Sequence, residues 1–267
     1  MEQIIFYILI FCIGCVFGSF FTLAVYRIPL HQDITHERSY CPNCKHKLSF
    51  LDMIPILSYV FLKGKCRYCK NKIRIRYFLL EILTGIVFLL FAISLKIRFN
   101  SIELNKIIYL VVSILYLAGI IIIAGIDKEK RTIEKRVLIY EIFVVSIYMV
   151  YLCIVNNVNI YRYTIYLGIL LIILLLEKKF IKIHKNYLIE LLELSLIITI
   201  FSGEIVFLAS AFLSIIALQM KVIVRSLIKK SKSVKIKNLL ISFKEYGIGF
   251  YLICFNIISL IIRNFIA

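Results

Sequence analysis

Acidic side chains are scarce in this sequence, with 15 Asp and Glu against 33 Lys and Arg and a formal charge of +18 over 267 residues. Each carboxylate therefore stands out. No Gly-x-Ser-x-Gly, Walker loop or His-Glu-x-x-His occurs, which removes the nucleophile elbow, the P-loop and the helical zinc-peptidase motif. Neither a repeat of fixed period nor a low-complexity segment is evident. Glu2 rather than a basic segment precedes the first apolar run, and no small-residue cleavage site follows it, so a removable signal peptide is not expected. A basic, aromatic-interleaved soluble domain is missing too, so the positive charge does not point to nucleic acid. Basic residues between membrane spans have a blander cause, because they hold loops on the cytoplasmic side.

What is abundant is apolar. Hydrophobic residues make up 62% of the chain and the mean hydropathy is +0.95, far above the roughly 45–50% of soluble domains. The fold class expected is an all-α polytopic membrane protein of about eight transmembrane helices with a small cytosolic zinc-binding loop. Spans are predicted from Ile4 to about Tyr26 and at Phe78–Leu95, Ile107–Ile126, Val137–Val155, Tyr163–Leu176, Tyr187–Phe201, Ile205–Met220 and Gly247–Ile262, each long enough or nearly so to cross. Loops 27–76, 128–136, 177–185 and 221–237 are basic, whereas 156–162 and 202–204 are short and nearly neutral. That alternation places the basic loops in the cytoplasm and the N-terminus outside. Boundaries are expected at 1–26 for a first transmembrane helix, 27–77 for a cytosolic four-cysteine loop and 78–267 for a seven-helix membrane-embedded domain.

Two Cys-x-x-Cys pairs, Cys41/Cys44 and Cys66/Cys69, have the spacing by which two thiolate knuckles close a tetrahedral zinc site. Paired disulfides are the rival, and a cytosolic loop would keep the thiols reduced. Four thiolate ligands leave no open coordination position, so such a site orders a loop and catalyses nothing. His31, His36 and His46 could supplement the ligands, but four cysteines suffice. Cys12, Cys15, Cys153 and Cys254 lie in apolar runs and read as small buried hydrophobes. Between the knuckles, Leu51–Leu62 is apolar but too short to cross; it packs over the metal site or lies on the membrane surface.

Ionisable groups in or beside membrane spans are costly. Asp127 follows the apolar run at the cytoplasmic end of the third span, and Glu190 and Glu193 open the sixth from the same face. Two carboxylates at one membrane edge can work as an aspartic dyad, one ionised and acting as base on water, the other as acid. Against this, Asp127 reads equally as a solvated loop residue pairing with Lys128 or Lys130, and Glu190 as a group offsetting a helix dipole. Glu81 and Glu141 suit interhelical hydrogen bonds, and Glu204 is expected in solvent outside.

These residues resemble the type IV prepilin peptidase family (prepilin leader peptidase/N-methyltransferase, membrane aspartic peptidases). The likeness runs through GSFFTLAVYRIP (18–29), CPNCKHKLSFLDMIPILSYVFLKGKCRYCKNKIRIRYFLLEILTG (41–85) and AGIDKEKRTIEKRVL (124–138). It implies that residues 78–267 form a peptidase-like domain and that Asp127 is the first catalytic aspartate. The family's second aspartate lies in Gly-x-Gly-Asp, where this chain reads KIHKNYLIELLEL (182–194), and Glu190 is the nearest available carboxylate. The family's Pro-Phe-Gly-Pro is eroded to Ser242-Phe243-Lys244-Glu245. The resemblance implies cleavage of prepilin or pseudopilin leaders at the cytoplasmic face of the cell inner membrane, with structural Zn²⁺ and with S-adenosylmethionine for N-methylation, at a site that no feature here locates. Two alternatives stand beside it: a catalytically inactive relative that binds prepilins or assists assembly, and a zinc-ribbon membrane scaffold.

Overall fold

In the computed structural model residues 2–34, 38–97, 103–155, 160–180, 187–230 and 246–266 are described. Loss of water in a bilayer leaves the backbone no partners but its own, so long apolar runs become helices. Eight long helices match the eight expected spans: α1 Glu2–Arg27, α3 Ile75–Ser94, α4 Leu104–Lys130, α5 Lys135–Val155, α6 Ile160–Phe180, α7 Tyr187–Ser202, α8 Glu204–Lys230 and α9 Ile248–Ile266. The short α2, Leu57–Phe61, lies in the four-cysteine loop. Six of the eight are long and apolar enough to cross a membrane; α6 has a shorter apolar core at Tyr161–Leu175, and α7 has 16 residues. No strand occurs among the described residues, only isolated β-bridges. The protein is an all-helical polytopic membrane protein.

One expected boundary is corrected with consequences for function. α4 does not end at Ile126 but continues through Asp127 to Lys130, because Lys and Glu are good helix formers and two lysines favour a helix C-terminus. Asp127 is thus a helical residue and fully buried, not a solvated loop residue.

The chain forms two compact units, Met1–Ile114 and Leu115–Ala267. In the first, α1 packs along α3. Gly14 and Gly18 form a Gly-x-x-x-Gly face, and a Cβ on either would come within 2.8 Å of the α3 backbone, at Gly85 and Glu81 respectively. Small residues let two helix backbones approach closely where lipid offers no hydrophobic drive for association. Phe17 closes the contact against Phe88, with ring centroids 5.8 Å apart. Gly18→Val is expected to cost about 2 kcal/mol through overpacking, read as an earlier melting transition of the detergent-purified protein. Melting like the wild type would show that Gly18 does not set the α1–α3 spacing.

In the second unit, α7 packs on α5, α6, α8 and α9, and α9 packs on α8. Phe201 of α7 stacks on Tyr116 of α4 at 3.8 Å and meets Tyr148 of α5 at 4.6 Å. The Tyr116 hydroxyl donates to Asn256 Oδ1 of α9 (3.0 Å), whose amide donates to Ser202 Oγ of α7 (3.0 Å). Arg263 of α9 donates to the Ser202 carbonyl at 2.7 Å. Buried polar groups are costly unless paired, and this network fixes how α4, α7 and α9 are rotated about their axes. Glu204 keeps the solvent exposure expected of it and is also paired with Arg162 (2.9 Å) and the Tyr166 hydroxyl (2.7 Å).

Candidate active site and four-cysteine centre

The two Cys-x-x-Cys turns are copies of one local structure. Cys41 N–H donates to the His46 carbonyl and Cys66 N–H to Asn71, at 3.0 and 2.8 Å. Bridges Tyr40–Lys47 and Lys65–Lys72 close the two turns, and Lys45 and Lys70 adopt the left-handed conformation at the same place, φ 57° and 58°. The shared string Cys-x-x-Cys-Lys-x-Lys, 41–47 and 66–72, is a short internal repeat that a search for long fixed periods misses. His46 does not join the cysteines but stacks on Tyr68 of the other turn, centroids 3.6 Å apart. His36 lies outside the described residues.

The four sulfurs lie within 4.8 Å of one another. Zn–S bonds of about 2.3 Å in a tetrahedron put sulfurs ~3.8 Å apart, and Cys41 and Cys69 are 3.9 Å apart. The donor set fits zinc. Burial pushes the Cys41 thiol up, but hydrogen bonds at Cys44 and Asn43 and to the neighbouring thiols outweigh it and bring it down to about 7. At Cys69 the Asn71 amide pulls down, yet hydrogen bonds with Cys44, Cys66 and Cys41 drive its thiol up to about 11. Four thiolates brought this close repel one another, and a bound divalent cation would supply the compensating charge. Of the other cysteines only Cys15 is buried; Cys12 is exposed and Cys153 and Cys254 are intermediate.

Between the knuckles, Asp52 clasps the loop. Its carboxylate accepts from Ser49 N–H and Oγ, Tyr68 Oη and Arg67 Nε, the last at 2.6 Å. Burial pushes the Asp52 carboxyl up, and the hydrogen bonds from Ser49 and Arg67 more than offset it, leaving it below the usual carboxylate range. A carboxyl held low contributes stability above its ordinary range and loses it as pH falls through its lowered one. Four residues on, Ile56 has φ 62° and ψ −55°, with Leu57 N–H donating back to the Pro55 carbonyl at 2.6 Å. This is a positive-φ γ-turn, a strained form for a β-branched residue. Glu81 of α3 holds it, accepting from Ile56 N–H at 2.8 Å.

In the second unit Asp127 sits at the N-terminus of α9. Its Oδ2 accepts from Phe250 N–H at 2.7 Å and from the Tyr187 hydroxyl at 3.2 Å; Tyr187 Oη in turn accepts from Gly249 N–H at 3.0 Å. A helix N-terminus offers unpaired N–H groups and the positive end of the dipole, a natural seat for a carboxylate. Gly247 makes room: a Cβ there would fall on the Asp127 carboxylate. Among the described residues the buried Asp127 Oδ1 has no hydrogen-bond partner. Lys128, next in sequence, lies over the Phe250 and Tyr246 rings at 5.3 and 5.4 Å.

Among the described residues, the groups hydrogen-bonded to Asp127 are therefore Tyr187 and the Phe250 amide. Glu190 lies one helical turn after Tyr187 on α7 and Glu193 one further, both buried. Glu141 of α5 is fully buried against Gly119 of α4. Sequence reasoning missed Tyr187, Gly247 and Phe250. Gly247-Ile248-Gly249 opening an apolar helix was the available signal, since glycines there admit a close anion. Residues 181–186, which hold the start of the segment 182–194 set against the family's second aspartate motif, and residues 242–245 lie outside the described residues.

Comparison with known proteins bears on the first unit above all. The family described as the bacterial peptidase A24 N-terminal domain matches residues 12–95. Residues 12–95 are thus similar to the N-terminal domain of the prepilin peptidases. Among curated relatives, each named prepilin leader peptidase/N-methyltransferase, that of Bacillus subtilis is 36% identical over 133 residues, 49% of this chain and 50% of its own length. The Myxococcus xanthus protein is 42% identical over 84 residues (32% and 25%) and that of Vibrio cholerae 40% over 91 (31% and 35%). The chain thus spans half or less of the length of these relatives. No solved structure matches it. The domain match takes in all four cysteines, Asp52 and Glu81, and ends before Asp127.

Proposed function

We propose that this chain is a membrane aspartic endopeptidase that cleaves the leader of type IV prepilins or pseudopilins at the cytoplasmic membrane face. The observation that carries the reading is Asp127: a fully buried carboxylate at a helix N-terminus, at the end of a membrane helix, with one oxygen on two donors and the other, among the described residues, without a partner. An intramembrane carboxylate so housed is a functional group by default.

In the reaction proposed, ionised Asp127 takes a proton from water as the oxygen attacks the scissile carbonyl carbon. Glu190 gives its proton to the leaving nitrogen, and the C–N bond breaks to release the leader carboxylate and the amine of the mature pilin. Tyr187 and the Phe250 amide hold Asp127 in place. Zn²⁺ held by Cys41, Cys44, Cys66 and Cys69 would order the loop and the entry to α3, with no part in the chemistry. The relatives' names include N-methyltransferase; nothing among the described residues singles out a seat for S-adenosylmethionine, and no step passes through it.

A second reading has its own observation. Among the described residues the side chain hydrogen-bonded to Asp127 is Tyr187 and not a second carboxylate, which suits an inactive relative that binds prepilins or assists their assembly. The deciding assay is co-expression with a prepilin bearing a basic leader, a glycine before the cleavage point and an apolar helix after it. Shortening of the prepilin on a gel supports the peptidase. Full-length prepilin, where a relative with an intact Gly-x-Gly-Asp cuts it, overturns the peptidase in favour of the binding protein.

A further inference from the structure

Between the cysteine knuckles, five large apolar side chains stand in the open: Phe50 is 76% exposed, Leu51 62%, Leu57 52%, Val60 56% and Phe61 79%. They come from two short pieces that pack on each other, the turn Phe50–Met53 and α2. Leu57, Val60 and Phe61 stand at i, i+3 and i+4 and so share one face of α2. Apolar area left in water costs about 25 cal/mol per Å², and a contiguous exposed patch marks an interaction surface.

Contacts inside the first unit fix the depth of this patch. Tyr59 of α2 stacks on Phe78 of α3, ring centroids 4.9 Å apart, and Ile56 N–H is held by Glu81. Phe78 and Glu81 lie one and two turns inside α3, a helix built to span a membrane. The outward side chains of those same turns, Ile75 at 60% and Leu79 at 55% exposed, are apolar, as the lipid-facing side of a span requires. α2 therefore lies beside the first turns of α3 instead of standing off in water, and the strained Ile56 turn clamped by Glu81 is what keeps it there. Exposed Lys63 and Lys65 follow α2 directly.

We infer that residues 50–61 are an interfacial membrane anchor. Their apolar face enters the headgroup–acyl boundary of the bilayer that α1 and α3 span, and the basic residues after them meet anionic headgroups. Apolar face, interfacial depth and flanking cations together are the chemistry of a segment lying in the membrane surface. The anchor holds the four-cysteine centre against the membrane and is independent of whether the chain cleaves peptide bonds.

The chain contains no tryptophan, so one introduced indole reports alone. Phe50→Trp and Phe61→Trp, made separately in the full chain, conserve aromatic bulk. They would be compared with Lys70→Trp on the second knuckle and Leu83→Trp within α3, in nanodiscs of phosphatidylcholine and phosphatidylglycerol brominated near the headgroup end or the methyl end of the acyl chain. Headgroup-end bromines are expected to quench Phe50→Trp and Phe61→Trp at least about threefold more than Lys70→Trp, while methyl-end bromines quench Leu83→Trp most. Quenching of both variants no greater than that of Lys70→Trp would overturn the anchor. A blue shift of unquenched indole on adding a pilin-like apolar helix would overturn it too, assigning the patch to a protein partner. Weaker quenching in purely phosphatidylcholine discs supports the headgroup contact; equal quenching would overturn that part.

Discussion

Asp127→Asn is expected to lower prepilin processing by about 10²- to 10⁴-fold, the usual worth of a positioned general base, while the protein still accumulates in the membrane. Asparagine keeps the shape and can still accept from Phe250 N–H and Tyr187, which bond Asp127 at 2.7 and 3.2 Å. What it loses is the ability to take a proton from water. Glu190→Gln is expected to cost a similar factor if its proton goes to the leaving nitrogen. Tyr187→Phe removes one hydrogen bond to Asp127 and is expected to cost about tenfold, near 1.4 kcal/mol. The three variants separate the readings in one gel-based time course. Full activity of Glu190→Gln with near-complete loss in Tyr187→Phe would take the second role from Glu190 and give it to the tyrosine. Full activity of Asp127→Asn would end the aspartic mechanism altogether.

Removal of zinc is expected to unfold the cysteine loop without dissolving the membrane helices. The purified protein should carry one equivalent, because the four sulfurs lie within 4.8 Å of one another and the two turns that present them are closed by their own backbone bonds. Structural zinc contributes on the order of 10 kcal/mol to a small thiolate site, more than a loop of this size can replace. Chelation or Cys41→Ser should therefore abolish hydrogen-exchange protection at Cys41, Cys66 and the Asp52 clasp, leaving α1 and α3 protected by their Gly14–Gly18 contact. Metal analysis giving less than about half an equivalent of zinc, and no other metal, would sink the assignment. Unchanged protection after full chelation would show instead that the Asp52 clasp and the His46–Tyr68 stack hold the loop alone.

Much of this architecture was legible because its signals are local. A run such as residues 107–126 is apolar from end to end and has no soluble alternative, so its helix needs no knowledge of its neighbours. Cys-x-x-Cys twice at close range likewise announces a four-sulfur site, since each turn is formed by residues adjacent in sequence. Asp127 was visible as a charge at the end of an apolar run, but its burial was not. A string reading Asp-Lys-Glu-Lys looks equally like a solvated loop, and only a helix continuing to Lys130 turns the aspartate inward. Glu190 was reached by counting residues, which gives a position along a helix but not what that helix faces. Ile56 gave no warning at all, since a γ-turn of positive φ at a β-branched residue runs against local preference and is held by Glu81, 25 positions away.

By itself the sequence determined a membrane protein of eight long helices with two thiolate knuckles at one helix entry, because hydropathy and short motifs act within a few residues of themselves. Only the tertiary structure decided what meets Asp127: Tyr187 at a separation of 60 residues and the Phe250 amide at 123. Those meetings depend on how far each helix is rotated about its own axis. That rotation is set by buried pairs such as Tyr116–Asn256 and Asn256–Ser202, whose partners no pattern along a single helix reveals.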